Sequence, residues 1–475
     1  MIAARAILAE LFGPPAGRPF AVRLWDGSVE GPSQDRARFT VVLRRPGALR
    51  RMLLPPSQLA LGEAYLRDDV DVEGDLEAAS ALADLLSERL VSPSLHLRLL
   101  PHLLALPTDD LPRSADGRRP AARLVGRRHT RRRDAAAVRA HYDAGNDFYA
   151  LWLDRKMVYS CAYFPTGAED LDAAQAAKLE YTCRKLRLRP GEHLLDIGCG
   201  WGGLIEHAAV HHGVRATGIT LSQPQAELAR ERLARAGLTD RCRIEVRDYR
   251  DLPDGACFDK VVSVGMVEHV GRSQLPTYFA RAHRLTRPGG LFLNHGIVVG
   301  PADRPGGLLD RARRRLWGEG AFVQEYVFPD GELVPSGVMV AAAEEAGFEA
   351  RDLENLRGHY ALTLRHWVGR LEARRAEAVA SVGERVYRTW RLYMAASARG
   401  FATGRIGVVQ LLLAKPDREG SAGLPPTRAD LYRPDGAPSP AWSADGGAEW
   451  LARKLPGERA STTSGGRVPC THDSP

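Results

Sequence analysis

No stretch of this chain approaches the roughly 18 consecutive apolar residues that a membrane-spanning helix requires. The six cysteines, Cys161, Cys183, Cys199, Cys242, Cys257 and Cys470, include no Cys-x-x-Cys pair and show no metal-ligand spacing. Each is therefore expected to be a small buried side chain in a reducing cytoplasm, with no structural metal. Met1–Leu11 is apolar but carries Arg5 and Glu10, and Gly13-Pro14-Pro15 follows without a small-residue cleavage pattern, so no signal peptide is predicted. What is present is ordinary for a soluble globular protein: 475 residues, 44% hydrophobic and 26% charged, room for two domains with proper cores. The formal charge of +8 favours an anionic partner, either nucleic acid or an acidic membrane surface.

Four segments are predicted. Residues 1–112 read as a small α+β unit, with a strand at 39–43, an acidic turn at 68–75 and an amphipathic helix over 76–90 (Leu82, Leu85, Leu86 and Leu90 at helical spacing). Residues 113–135 form a basic linker. Its arginines, Arg113 to Arg133 with Pro112 and Pro120 among them, suit either a solvated tether or an electrostatic patch for anionic lipid. Arg311, Arg313, Arg314 and Arg315 form a second basic cluster that shares that face in the lipid reading. From 136 to 415 strand candidates at 193–198, 215–221, 243–247, 258–264 and 290–298 alternate with helical stretches, and 348–353 and 405–414 are placed to close the sheet. That alternation predicts an α/β fold with a doubly wound, mostly parallel sheet. The tail, 416–475, is rich in Pro, Gly, Ser and Asp and is expected to be largely disordered.

The organising stretch is His193-Leu194-Leu195-Asp196-Ile197-Gly198-Cys199-Gly200-Trp201-Gly202-Gly203. A buried strand breaks at glycines that let the backbone bend and approach a ligand, and the next helix turns its N-terminal N–H groups toward it. Asp196 beside this turn suits a neutral-to-cationic nucleoside better than a pyrophosphate. Ligands of such sheets sit at the carboxyl ends of the strands. There Ser222-Gln223-Pro224-Gln225 reads either as a capping box or as groups meeting a ribose or amino-acid tail. Asp248 and Tyr249 suit an exocyclic amine and a base face. Glu268 and His295 end neighbouring strands, where polar side chains point to function.

Together these residues resemble a class I S-adenosylmethionine-dependent methyltransferase, and more narrowly the cyclopropane-fatty-acyl-phospholipid synthase family. The resemblance is carried by His141-Tyr142-Asp143-Ala144-Gly145-Asn146-Asp147-Phe148-Tyr149, Tyr159-Ser160-Cys161-Ala162-Tyr163-Phe164, the glycine stretch, Thr220-Leu221-Ser222 with Gln225, Val264-Gly265-Met266-Val267-Glu268-His269-Val270-Gly271, and Tyr326-Val327-Phe328-Pro329-Asp330-Gly331. It implies that Gly198, Gly200 and Gly202, with Tyr159, Ser160, Thr220, Leu221, Gln225, Asp248 and Tyr249, bind S-adenosylmethionine. It further implies a bicarbonate ion as general base, cradled by Cys161, Glu268, His295, Ile297 and Tyr360. The implied reaction methylates the double bond of an unsaturated phospholipid chain and closes a cyclopropane ring. The implied setting is a cytoplasmic protein on the membrane surface, with a homodimer as the plausible assembly.

The sequence also departs from that family. Asn294-His295-Gly296-Ile297 replaces the more usual apolar-His-Thr-Ile, and Glu354–Trp367 and Trp390–Ala395 look closer to tuberculostearate-type methyltransferases, which leave an exocyclic methylene. Tyr159-Ser160-Cys161 and Gly265-Met266-Val267-Glu268 resemble the ring-forming branch. Two rival classes share parts of this pattern. Nucleic-acid amino-methyltransferases carry an Asn/Asp-Pro-Pro-aromatic turn where this chain has Glu268-His269-Val270, so no nucleic-acid partner is expected. A non-catalytic lipid-binding protein would have lost the glycine loop, Glu268 or His295, and all are present.

Overall fold

Short apolar runs early in the chain pair into a small sheet, and carboxylates between them are held by arginines from elsewhere. The structure is a computed structural model that describes residues 1–432, apart from 34–35, 91, 109–123, 125, 143, 255–256 and 304–305. The first four strands are β1 (Ala21–Arg23), β2 (Val29–Glu30), β3 (Phe39–Leu43) and β4 (Val70–Gly74), in the order β2-β1-β3-β4. β1 and β3 run parallel, and the other two pairings are antiparallel. The stretch expected as an acidic turn is thus β4, in register with β3 from Phe39↔Gly74 to Leu43↔Val70. Arginines offset its negative charge: Asp71 pairs with Arg44 (2.9 Å) and Arg388 (3.2 Å), and Asp69 with Arg45 (3.4 Å) and Arg51 (3.3 Å). The helix expected over 76–90 divides at Ser80 into Leu76–Ala79 and Ala81–Arg89.

This small sheet does not close a core by itself. Its apolar cluster takes in Trp317, Phe322 and Ala395 from far later in the chain. Arg388, on the long helix Arg375–Ala402, is buried against it: the guanidinium donates to the carbonyls of Tyr65 (2.7 Å) and Val70 (2.9 Å) and lies 4.1 Å from the Tyr65 ring centroid. A charge-assisted donor shared between a helix-end carbonyl and a strand-end carbonyl ties the small sheet to the rest.

The second sheet has seven strands: β5 (His193–Ile197), β6 (Arg215–Thr220), β7 (Cys242–Val246), β8 (Phe258–Val264), β9 (Thr286–Val299), β10 (Glu349–Asn355) and β11 (Ile406–Ala414). Their order is β10-β11-β9-β8-β5-β6-β7. β5 to β9 are parallel along that order, and β11 is antiparallel to both β9 and β10. This is the doubly wound, mostly parallel sheet that the alternation predicted, with both late runs joined to it. The order reverses between β5 and β8, which opens a crevice at the strand ends.

The basic stretch is partly structured. A helix begins at Arg131 and runs to Tyr142, inside the range expected as linker. Arg131 pairs with Asp251 (2.6 Å), Arg128 with Asp330 (3.2 Å), and Arg133 also with Asp330. Carboxylates distant in sequence thus hold three of these arginines, two of them on one aspartate. Residues 113–123 and 125 of the expected linker lie outside the described residues. Met1–Gly423 forms one unit; of Leu424–Pro475 the described part reaches Tyr432 and contains one short 3-10 turn, Ala429–Tyr432. The tail expected to be disordered lies outside the described residues from 433 onward.

Candidate active site

β5 ends at Asp196-Ile197 and the chain then turns through Gly198, Gly200 and Gly202, all at positive φ (86°, 54° and 79°), a region costly for other residues. The helix Gly203–His212 follows and stops at Gly213 in the left-handed conformation. Nothing lies within 4 Å of where a Cβ on Gly200 would project, so its backbone stands open to a ligand. At Gly202 a Cβ would meet that of Ala229 at 3.1 Å, so this glycine serves close packing on the helix Gln223–Arg235 instead of facing the cavity. Asn146 fixes the loop from outside by accepting from the Trp201 indole N–H (2.8 Å) and donating to the Pro224 carbonyl (3.2 Å). That gives the Gly145-Asn146 motif a physical task.

Over the loop lies a cavity of about 150 Å³ lined by Tyr159, Ser160, Asp196, Gly198, Gly200, Thr220, Leu221, Gln225, Asp248 and Tyr249. Apart from Gly202, these are the residues expected to hold the cofactor. Ser222 does cap its helix, accepting from the Gln225 N–H (3.5 Å). The Gln225 side chain nevertheless turns inward: its Oε1 accepts from the Thr220 hydroxyl (2.8 Å), and its buried Nε2 has no hydrogen-bond partner. The capping box is therefore only half formed, because the Ser222 N–H donates to the Thr220 hydroxyl and not to Gln225. Asp248 is engaged by Arg250 through Nε (2.8 Å) and Nη2 (2.6 Å), which leaves further lone pairs on the carboxylate for a donor. Burial raises the Asp196 carboxyl to about 7 against the opposing charge of Lys178, and burial lowers Lys178 to about 8. An orphaned amide, an open glycine backbone and a deep carboxylate fit a cationic nucleoside donor.

A second cavity, of about 870 Å³, holds Cys161, Glu268, His295, Ile297 and Tyr360 on its wall. It meets the first across Tyr142, Tyr159, Ser160, Gly265 and His269, which line both. It extends away from the seven-stranded sheet between apolar side chains of the small sheet and its helices, among them Leu8, Phe12, Val41 and Leu61. β8 ends at Val264, opposite His295 of β9, and the short turn Val267–His269 folds Glu268 back over β9. Glu268 Oε1 accepts from the Ile297 N–H (2.6 Å), while Oε2 is buried without a partner. Burial raises this carboxyl to about 7.

His295 Nδ1 lies 3.2 Å from the amide nitrogen of Gln410 on β11, and its Nε2 is buried and unpartnered. With the amide so oriented, Nδ1 accepts and Nε2 carries the proton. Burial, reinforced by Lys178 and Lys185, lowers this imidazole to about 3, so it is a neutral donor at working pH. Burial also raises the Tyr360 phenol, keeping it protonated. The Cys161 thiol is held protonated by burial and points at the carbonyls of Ala162 (3.2 Å) and Leu356 (3.8 Å). Cys161 therefore shapes the wall, and its sulfur is already occupied. One unpaired carboxylate oxygen, one unpaired imidazole N–H and a phenol suit a small oxyacid anion such as bicarbonate.

Several residues here escaped sequence reasoning. Lys178 donates to the Ser160 hydroxyl (2.9 Å), and Gln175 to the carbonyls of Val158 (3.2 Å) and Ser160 (2.8 Å). Both hang the Tyr159-Ser160-Cys161 segment from the helix Leu171–Leu186. Their signal was a polar stripe, Gln175, Lys178, Thr182 and Lys185, at helical spacing, all of it buried. Tyr142 and Tyr393 also wall the second cavity, and Gln410 orients His295. The catalytic expectation had included none of these three.

The model of the family described as "Mycolic acid cyclopropane synthetase" matches residues 129–411, and that of a domain of unknown function matches residues 7–86. The chain is 42% identical over 434 residues to a probable fatty acid methyltransferase of Pseudomonas putida, a match covering 90% of this chain and 100% of that one. It is 38% identical over 275 residues to the cyclopropane-fatty-acyl-phospholipid synthase of Escherichia coli K12, covering 58% of this chain and 66% of the other. Among solved structures it resembles mycolic acid cyclopropane synthase CmaA1 complexed with SAH and CTAB (33% identity, TM-score 0.55), over 59% of this chain and 97% of that one. The fold, the glycine-loop cavity and the family match over more than half the chain converge: this protein belongs to the mycolic acid cyclopropane synthetase family and is an S-adenosylmethionine-dependent methyltransferase acting on lipid.

Proposed function

We propose that the protein methylates the double bond of unsaturated phospholipid acyl chains and closes a cyclopropane ring. The observation that carries this reading is the joining of the cofactor cavity to an apolar cavity of about 870 Å³ whose wall bears Glu268, His295 and Tyr360. An alkene is a weak nucleophile and needs in-line placement against the sulfonium methyl in a site without water. Its π pair forms the new C–C bond as the methyl–sulfur bond breaks, leaving a carbocation on the chain and a neutral thioether. Tyr142, Tyr159, Tyr360 and Tyr393 present aromatic faces to that developing charge. Glu268 Oε2, the His295 Nε2–H and the Tyr360 hydroxyl would hold bicarbonate, which supplies a base for the proton lost from the new methyl. Glu268 is itself fixed by the Ile297 N–H and His295 by Gln410, so both are oriented before substrate arrives.

The membrane partner is supported by the helix Leu308–Trp317. Leu308, Arg311, Ala312, Arg315 and Leu316 share one exposed face, and both leucines are 82% exposed. Arg313 and Arg314 of the expected cluster instead pair with Asp310 (2.6 and 3.0 Å). Arg314 and Arg315 also line the second cavity, so this face adjoins the route by which a chain would enter. Two arginines and two leucines on one face suit an anionic bilayer surface.

The test is to incubate the protein with S-adenosylmethionine and vesicles of monounsaturated phosphatidylglycerol, then subject the product chains to ozonolysis. A cyclopropane survives. A mid-chain ketone as the main fragment would reassign the protein to methylene-branch formation. Unmodified chains would refute both.

A further inference from the structure

Away from the active site, two helices converge on a group of side chains that the reaction does not use. The helix Leu171–Leu186 supplies Glu180 and Cys183, one turn apart, and the helix Gly203–His212 supplies His207 and His212. The Cys183 sulfur and one ring nitrogen from each histidine lie within 4.8 Å of one another. Glu180 Oε2 is 3.1 Å from Nε2 of His207 and 3.1 Å from Nε2 of His212. Cys183 and His207 are buried, and His212 is half-buried at its helix end.

We propose that Cys183, His207 and His212, with Glu180, form a binding site for Zn²⁺ or a similar borderline divalent cation that staples these two helices together. The donor set is one sulfur, two imidazoles and a carboxylate, the set zinc takes in four-coordinate sites. Two nitrogen or oxygen donors on one tetrahedral zinc, with bonds of about 2.0–2.1 Å, stand ~3.3 Å apart. Glu180 Oε2 stands 3.1 Å from both imidazoles, close to that spacing, and the Cys183 sulfur lies within 4.8 Å of a ring nitrogen of each. One carboxylate and one thiolate offset the two charges of the cation. The thiol proton passes to solvent as the sulfur–metal bond forms. Arg184 Nε, 2.9 Å from Glu180 Oε1, holds the carboxylate in place from the other side.

The site lies outside the cavity walls but not outside their influence. Lys178 and Leu179 of the first helix and Gly203 and Leu204 of the second line the cofactor cavity. A metal joining these helices would stiffen two walls of that cavity at once.

The experiment titrates chelator-stripped, full-length protein with Co²⁺ alone, then displaces it with Zn²⁺. Expected is one Co²⁺ per chain, with the intense visible absorption of four-coordinate cobalt and a near-ultraviolet thiolate charge-transfer band, both abolished by zinc. Zinc alone should raise the thermal unfolding midpoint. Cys183→Ser should remove the charge-transfer band, and Cys183→Ser and His212→Gln should each weaken zinc binding at least ten-fold. His102→Gln, on the helix Pro93–Leu104, should leave it unchanged. His212 is half-buried at a helix end, so its variant remains informative if Cys183→Ser misfolds. Absence of saturable cobalt binding, a six-coordinate spectrum, or zinc affinity unaltered in His212→Gln would overturn the proposal and leave a plain His–Glu–His hydrogen-bond network.

Discussion

Replacing Glu268 by glutamine separates a catalytic cost from a stability gain. Burial raises this carboxyl from 4.5 to about 7. The unfolded chain ionises it near 4.5, whereas the folded chain keeps the proton up to about 7. Its contribution to stability is therefore whole below 4.5 and is lost as pH rises through 7. At about 1.4 kcal/mol per unit, wild type forfeits about 3 kcal/mol over the whole window, and about 2–3 kcal/mol between pH 5 and pH 8. Glutamine can keep its Oε1 on the Ile297 N–H and places an uncharged amide where Oε2 lies unpaired. Any penalty for that unpaired amide is the same at both pH values. The assay is urea unfolding followed by tryptophan fluorescence, for both proteins, at pH 5 and pH 8 without ligands. The stability difference, variant minus wild type, should become more favourable to the variant by about 2–3 kcal/mol at the higher pH. A difference unchanged within about 0.5 kcal/mol would mean that Glu268 does not titrate in this window, and the electrostatic account of the site would fail. Turnover of the same variant should fall by about 10²-fold or more with S-adenosylmethionine binding nearly intact, because the residue faces the second cavity and not the nucleoside.

His295→Ala should likewise slow turnover while leaving S-adenosylmethionine affinity within about two-fold, and an isothermal titration showing lost cofactor binding would contradict its placement. Stripping bicarbonate and carbon dioxide from the buffer should lower activity reversibly; full activity under those conditions would move the base to a side chain. Changing Leu308 and Leu316 to serine and Arg311 and Arg315 to glutamine should weaken sedimentation with anionic vesicles and flatten its salt dependence, since exposed charges are screened over about 8 Å at physiological ionic strength. Unchanged binding would place the membrane contact elsewhere. Arg388→Met should destabilise the protein by about 3–5 kcal/mol, because Asp71 and the carbonyls of Tyr65 and Val70 lose a buried cationic partner. A loss under about 1 kcal/mol in urea unfolding would show that this arginine does not pin the small sheet.

Local chemistry, legible in the chain itself, determined the seven-stranded sheet and the cofactor end of the site. A strand that ends in spaced glycines has few other conformations, and period-2 and period-3.6 patterns are written residue by residue. Asp196, Gly198, Gly200, Thr220, Gln225, Asp248 and Tyr249 all sit within a few residues of a strand end, so their convergence followed from the topology. Partnerships across the chain were decided only by the tertiary structure. The acidic run at 68–75 became a strand because arginines at 44, 45, 51 and 388 reach it. The arginines near 130 lost their freedom to Asp251 and Asp330. Gly202 faced a helix, not the cavity, and the Cys161 thiol was spent on backbone carbonyls. Cys183, His207 and His212, far apart in sequence, come together because two helices pack side by side. Sequence spacing reports neighbours along one element, whereas burial and charge pairing are settled between elements.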